Sequence, residues 1–478
     1  MSSTAAEQDA RPVASEPALQ DPYRLLVLRK RGSELLVARE RPPFTLPCVE
    51  IPRWERVAEN VIAAVSKRYG ISATCLFTPE WSANTPDVDQ PLYQVMETRE
   101  AKAAASDETR WVPVNSLLDQ SFADEQDFAA ITDTLRQIAD FQQGKAIGPF
   151  GRPGWIKELS SWAQLEIEPY GLRLNGEFRQ LNASPTFALL RLETNGQAVW
   201  FKAAGEPNLR EFPISVALSR LFPGFVPTVI ATHPAWHGWL TTEFAGSTLD
   251  EVPDACAWER AAQTLGELQI VSVGMTDQLL EAGCRDLRVT SLLPLVDPFL
   301  EVMTQIMEQQ RKTPPPALDR DELLTLGSQI KEALSELAEL GIPDTLGHLD
   351  FNPGNILCSA DQCVFLDWAE AYVGPPFLTF EYLRTHQVRT QREDVGLSAD
   401  VINAYETKWR TVLSPEAVAV ALNLAPVLAV FVYAAGTEGW RNPTVLREPR
   451  AVAYLRSLTR RMHGEMQRLH DRRQLCCN

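Results

Sequence analysis

The segment HLDFNPGNIL places His348, Asp350 and Asn355 on one short stretch, and Asp367 closes the apolar run CVFLDW a little further on. Transfer of a phosphoryl group needs a carboxylate beside the attacking hydroxyl. It also needs oxygen donors for a magnesium ion that neutralises the β- and γ-phosphates. Asp350 and Asn355 on one tight loop can face one cleft, the first toward an acceptor and the second toward the metal. Asp367 supplies a second metal carboxylate from the adjacent strand end. Singly, a cap, a turn residue and a strand-end acid would explain the three; in this order, between apolar strands, they form a set.

That set resembles the H-x-D-x-x-x-x-N signature with a distal Asp found in the aminoglycoside phosphotransferase and choline kinase-like superfamily, which is related to protein kinases. Pro-Gly-Asn-Ile-Leu after Asn352, and Asp367-Trp368 where protein kinases have Asp-Phe-Gly, are similar to the small-molecule branch. The resemblance covers residues from about 150 to 440 and implies a γ-phosphate donor, ATP with GTP as the alternative, together with Mg2+. It assigns Asp350 as catalytic base, Asn355 and Asp367 as metal ligands, and His348 as the residue that holds the loop. It also implies a partner set of one small-molecule hydroxyl acceptor.

The same resemblance locates the nucleotide groups upstream. Lys202 in AVWFKA stands where the superfamily places the lysine of the α- and β-phosphates, and Glu211, opening the next helix, could aim it; a helix N-terminal acid favoured by the dipole is the alternative reading of Glu211. With no GxGxxG, the loop Asn182–Thr186 would cover the phosphates through Ser184 and backbone N–H groups. The backbone from Glu243 to Ala245 would hold the adenine at a hinge, with Trp239 and Phe244 read as core.

These residues need a β lobe and a helical lobe to carry them. Asn175-Gly176 and Asn195-Gly196 read as two-residue hairpin turns, because both positions of a type I′ turn need positive φ. After Glu211 the pattern is helical, near 213–222, 255–271, 293–311, 318–340, 399–410, 415–436 and 447–471. Ahead of them, FQQGKAIGPFGRP reads as a linker. Before it, the hairpin, the Leu-Pro entry and the segment ending in Tyr69-Gly70 resemble a Nudix domain. Its acidic box is gone: Ala63, Ala64, Val65, Ser66, Lys67 and Arg68 stand there, and a Lys-Arg pair repels a divalent cation. An unrelated small α/β domain is the alternative.

The expected architecture is α+β: a two-lobed protein-kinase-like fold with a small antiparallel β lobe and a large α-helical lobe, preceded by a mixed α/β Nudix-like domain. Residues 1–20 read as a disordered tail, 21–145 as the degenerate Nudix-like domain, and 146–478 as the kinase domain. Within the last, the N-lobe runs over about 150–246 and the C-lobe over about 247–478.

The 478 residues carry 62 acids against 45 Lys+Arg, a net charge of −17. That balance argues against a broad nucleic-acid face and leaves a polyphosphate to one lysine, a loop and a metal. The polar first stretch has no secretion pattern, so the expectation is a cytoplasmic protein with eight reduced cysteines. Residues 417–436 match a membrane span in length, yet Ser414-Pro415-Glu416 starts them like a soluble helix, and they read as buried core. No membrane partner is expected, and the sequence does not give the oligomeric state. Two other functions stay open: a catalytically weak nucleotide-binding regulatory protein, and Nudix hydrolysis of a nucleoside diphosphate derivative.

Overall fold

The computed structural model describes residues 20–38, 41–53, 56–79, 91–99, 108–117, 121–145, 148–252, 254–390, 395–437 and 439–477. The expected tail over 1–20 lies outside these residues except for Gln20, which begins the first strand.

Strand β1 (Gln20–Arg29) carries a continuous buried run, Leu25 to Leu28, as a strand covered on both faces must. Leu25 and Val27 pack with Val61 and Val65 of the helix Val57–Tyr69, whereas Leu26 and Leu28 pack with Ala130, Ile131 and Ile138 of the helix Glu125–Gln142. The sheet adds β2 (Glu34–Ala38), β3 (Cys48–Pro52), β4 (Ala73–Phe77), β5 (Leu92–Thr98) and β6 (Thr109–Pro113), in the order β4-β5-β1-β2-β6 with β3 on β1. It is mixed, since β5 runs parallel to β1 and the other pairings are antiparallel. Gly70 ends the first helix in the left-handed region at φ 65°, where a Cβ would be strained.

A second, antiparallel sheet is built from β7 (Leu174–Ala183), β8 (Ala188–Thr194), β9 (Val199–Ala203), β10 (Val229–His233) and β11 (Gly238–Thr242), in the order β10-β11-β9-β8-β7. The turn expected at Asn175-Gly176 is instead a bulge inside β7. The register there jumps from Leu174↔Thr194 to Phe178↔Leu192, with Gly176 at φ 89°. A positive-φ glycine suits a bulge as well as a turn, which is why the dipeptide misleads. Asn195-Gly196 does lie between β8 and β9, but neither residue has positive φ. The Thr194 hydroxyl organises that loop, donating to Gln197 O and accepting from the Gly196 N–H.

Packing divides the described chain into two compact units. One runs to Pro207 and takes back Ile230–Glu243; the other holds Asn208–Val229 and resumes at Phe244. This differs from the boundary expected at 145/146, because the strands read as a separate N-lobe share a core with the first sheet: Phe201 and Leu240 belong to one cluster with Leu26 and Ile138. Gln180 of β7 also satisfies both backbone groups of Cys75 in β4, at 3.0 and 2.9 Å. The helix Glu211–Leu221, expected within the N-lobe, sits in the second unit, where Ile214 and Leu218 join the large core.

That second unit is mainly helical. It contains Cys256–Val271, Val296–Glu308, Arg320–Glu339, Phe377–Thr390, Val395–Trp409, Pro415–Gly436 and Pro449–Cys477. The helix Pro415–Gly436 is long and apolar enough to cross a membrane by length and composition, and most of it is buried in this core. Ser414 caps it by accepting from the Ala417 N–H. Short strands complete the unit: β12 (Ser247–Thr248), β15 (Ile356–Cys358) and β16 (Cys363–Phe365) in one sheet, and β13 (Arg285–Asp286), β14 (Thr345–His348) and β17 (Ala371–Gly374) in another.

Candidate functional site

Strand β14 delivers the loop that begins at His348. Its pairing with β17 requires a glycine before the histidine, because a Cβ on Gly347 would stand 2.1 Å from Tyr372 Cζ. The Tyr372 hydroxyl bonds to Thr379 Oγ1 at 3.0 Å, and that oxygen accepts the His348 backbone N–H at 2.9 Å. His348 is buried, and each ring nitrogen has a partner. Nδ1 accepts the Asp350 N–H at 3.1 Å, so Nε2 carries the proton and donates to Leu366 O at 3.0 Å. Burial lowers the pKa of this imidazole, and the pair of bonds fixes it as a neutral brace between the loop and the strand that leads to Asp367.

Asp350 follows, with its carboxylate held by neighbours rather than by a counter-charge. Asn352 Nδ2 donates to Oδ1 at 3.0 Å, and Asn355 Nδ2 donates to the Asp350 carbonyl at 2.9 Å and to Oδ2 at 3.4 Å. Asn352 also accepts the Gly354 N–H, an Asx turn that starts the short helical turn Pro353–Asn355. Asn352 is a site residue that the sequence reading passed over; its place before Pro353-Gly354 was the available signal.

The hairpin β15–β16 then returns the chain, with Ile356 opposite Phe365 and the Leu366 N–H donating to Asn355 O at 2.8 Å. Asn355 and Asp367 are thereby brought to the same end of one hairpin. Asp367 adopts φ 62°, ψ 59°, a left-handed conformation that costs a non-glycine residue about 1 kcal/mol or more. With its Nδ2 committed to Asp350, Asn355 turns Oδ1 away as an oxygen donor. An amide oxygen and a carboxylate suit Mg2+, which takes one or two protein oxygens and leaves its other positions to water and phosphate. Among the described residues no group of three or more His, Cys, Asp or Glu could hold a metal ion.

Glu370, just beyond, pairs with Arg285 at 2.8 Å, and its carbonyl accepts the Leu349 N–H at 3.0 Å, tying the start of the loop to the strand after Asp367. Glu211 also lies in the second unit. It is only 1% exposed at the start of its helix, with its N–H donating to Asn208 O. Ala245 is exposed, between Phe244 and Gly246.

The remaining expected residues belong to the first unit. Lys202 lies in β9, between Leu189 of β8 and Trp239 of β11, with its ammonium 5.9 Å from the Phe187 ring centroid. Ser184 is at the β7–β8 turn, where its hydroxyl accepts the Thr186 and Phe187 N–H groups at 3.3 and 2.9 Å, so it shapes the turn. The Glu243 N–H donates to Ala198 O, its carbonyl accepts Gln197 Nε2, and its carboxylate forms a two-point pair with Arg191 at 2.6 and 3.0 Å. Those bonds take up the Glu243 N–H and one of the two acceptor positions of its carbonyl, in the backbone expected to meet an adenine.

Residues 208–413 match the model of a phosphotransferase enzyme family, and the match includes the whole loop from His348 to Asp367. None of the curated proteins matches the chain by sequence. Among solved structures, the chain is similar to an apo macrolide 2′-phosphotransferase from Brachybacterium faecium at 15% identity. That likeness spans 63% of this chain and 97% of the other, with a TM-score of 0.42. A choline kinase from Cryptosporidium parvum is similar at 13% identity over 67% and 95%, with a TM-score of 0.43. An ethanolamine kinase from Plasmodium vivax is similar at 12% identity over 67% and 89%, with a TM-score of 0.41.

Proposed function

From the premise of a small-molecule kinase, we propose that the chain transfers the γ-phosphate of ATP, or of GTP, to a hydroxyl of a small molecule, with Asp350 as the base. The observation that carries this reading is the loop itself: a carboxylate positioned by Asn352 and Asn355, braced by a neutral buried histidine, next to a hairpin end that carries Asn355 and Asp367. In the reaction the acceptor oxygen bonds to the γ-phosphorus, the bond from that phosphorus to the β–γ bridging oxygen breaks, and the hydroxyl proton passes to Asp350. Asn355 and Asp367 would hold Mg2+, which when bound supplies positive charge to the transferring phosphates. Lys202 would bind the nucleotide phosphates, Glu211 would serve the same nucleotide site, and Ser184 would act by shaping its own loop. The nucleotide base would meet the backbone near Ala245.

The same proposal treats residues 21–145 as a degenerate Nudix-like domain without hydrolytic activity. Its support is a mixed sheet covered by helices on both faces, and a helix, Val57–Tyr69, whose only carboxylate, Glu59, is paired with Arg179. Asp350→Ala is the test. Mg2+-dependent stabilisation by ATP should survive while phosphoryl transfer to hydroxylated acceptors stops; unchanged turnover would remove Asp350 from the mechanism.

A further inference from the structure

The helices of the second unit that reach the Asp350 loop carry cationic side chains that phosphoryl transfer itself does not use. The helix Phe377–Thr390 starts at the catalytic loop, through the bond from the His348 N–H to Thr379 Oγ1. Tyr382, His386 and Arg389 continue from Thr379 in steps of three and four residues, so they share one stripe of that helix. The helix Pro415–Gly436 reaches the same loop by its C-terminal end, where a Cβ on Gly436 would lie 3.5 Å from Leu349 Cδ1. Its Ala429 carbonyl accepts the Tyr382 hydroxyl at 2.8 Å, and one turn on, Tyr433 stands between the rings of Tyr382 at 6.3 Å and Tyr454 at 6.5 Å. Tyr454 belongs to the terminal helix Pro449–Cys477, and Arg461 lies two turns beyond it on the same face. Three helix stripes thus converge, with Tyr433 as their common neighbour.

Three acids near this convergence are paired with arginines of their own. Glu370 is with Arg285, Glu381 with Arg384 at 2.8 Å, and Glu465 with Arg468 at 2.5 Å. Arg389 and Arg461 have no carboxylate partner among the described residues. Burial, and then the charge of Arg461, lowers the pKa of Arg389. Burial, followed by Arg389, with Asp350 opposing and Arg461 adding, lowers that of His386. Two like charges with no counter-ion among the described residues oppose each other until an anion joins them.

We propose that these stripes form the acceptor subsite, and that the acceptor is a hydroxylated small molecule bearing a carboxylate or a phosphate monoester. Arg389 and Arg461 engage the anionic group, Tyr433 flanks the body of the molecule, and the reacting hydroxyl faces Asp350. The inference rests on Asp350 being the base, as proposed above. A polycationic acceptor would meet the same two arginines as repulsion.

The test is calorimetric titration of the full-length protein, saturated with ADP and Mg2+, against matched ligands. D-gluconate against D-glucose probes the carboxylate, sn-glycerol 3-phosphate against glycerol probes the phosphate, and kanamycin is the cationic comparator. At least one anionic ligand should bind tenfold or more tightly than its neutral match. Arg389→Gln and Arg461→Gln should each weaken it by about tenfold, as loss of a charge-assisted bond does, and Arg389→Lys should restore part of it. Preference for phosphate or for carboxylate identifies the anion. Equal binding of anionic and neutral members, tighter binding of kanamycin, or an anion affinity untouched by both glutamine variants would overturn the inference. Anion binding without phosphoryl transfer would count against the kinase reading alone, and transfer to neutral or cationic acceptors against this inference alone.

Discussion

The loop from His348 to Asp367 and the helix Val57–Tyr69 form an instructive pair. Each occupies a position at which its resemblance implies a metal-assisted reaction on a polyphosphate, and each is fixed by buried packing. They differ in what their polar side chains are committed to. On the loop, Asn352 and Asn355 spend their amide N–H groups on Asp350, and His348 spends both nitrogens on the backbone, so the Asp350 carboxylate is oriented by neutral donors and not by a cation. On the helix, Glu59 is consumed by Arg179, and Arg68 donates to Cys48 O at 2.9 Å. Donors that orient acids make a site, whereas acids neutralised by arginine make a structural contact.

The largest test of that contrast is Asp350→Ala. Turnover should fall by about 10²–10⁴-fold, the usual worth of a positioned base, with ATP-dependent stabilisation preserved in a thermal shift. Asp367→Gly should separate stability from function. It relieves the left-handed backbone, so the unfolding free energy in urea should hold or rise by about 0.5–1 kcal/mol, while the Mg2+-dependent shift with ATP disappears. A drop in stability with ATP binding intact would contradict the role given to this aspartate.

His348 predicts a pH effect. Its folded pKa lies below the ordinary value of 6.5, so the unfolded chain binds the proton more readily. Its contribution to stability is therefore complete above pH 6.5 and is lost as pH falls below it, by up to about 1.4 kcal/mol per pH unit. Urea unfolding at pH 7.5 and 5.5 measures this, and His348→Gln should shrink the difference between the two. The smallest effect belongs to the contrasting helix. Glu59→Gln removes a solvent-facing ion pair and should change stability by about 0.5 kcal/mol or less, with no change in the Mg2+ dependence of turnover.

The loop from His348 to Asp367 was legible because the chemistry proposed for it restricts residue type and spacing together, so His348, Asp350, Asn355 and Asp367 stand out in one line of sequence. The long amphipathic helices were legible from their periodicity, and Arg320–Glu339 even carries a capping box at Asp319 and Glu322. The helix Phe377–Thr390 was not separately legible. Phe377, Leu378, Thr379, Phe380 and Glu381 are all buried, so its first turns show no alternation of apolar and polar faces. Ser184 and Glu243 are ambiguous in the sequence for another reason. A short polar side chain at a turn and an acid near a strand end look alike whether they serve a ligand or their own backbone, and here both are engaged locally. The shared core of the two N-terminal sheets was hidden as well, because contacts such as Gln180 with Cys75 join residues more than 100 positions apart.

The chain passes between its two compact units after Pro207, after Val229 and after Glu243. A single cut cannot therefore release either unit whole. Truncation before Ile230 strips β10 and β11 from their sheet, and β11 is the strand that pairs with the lysine-bearing β9. A fragment starting at Phe244 loses the Glu211–Leu221 helix from the large core. Dissection of this protein, by expression of parts or by gene fusion, has to keep residues 208–243 joined to both sides. The two units are inherited as one threaded piece.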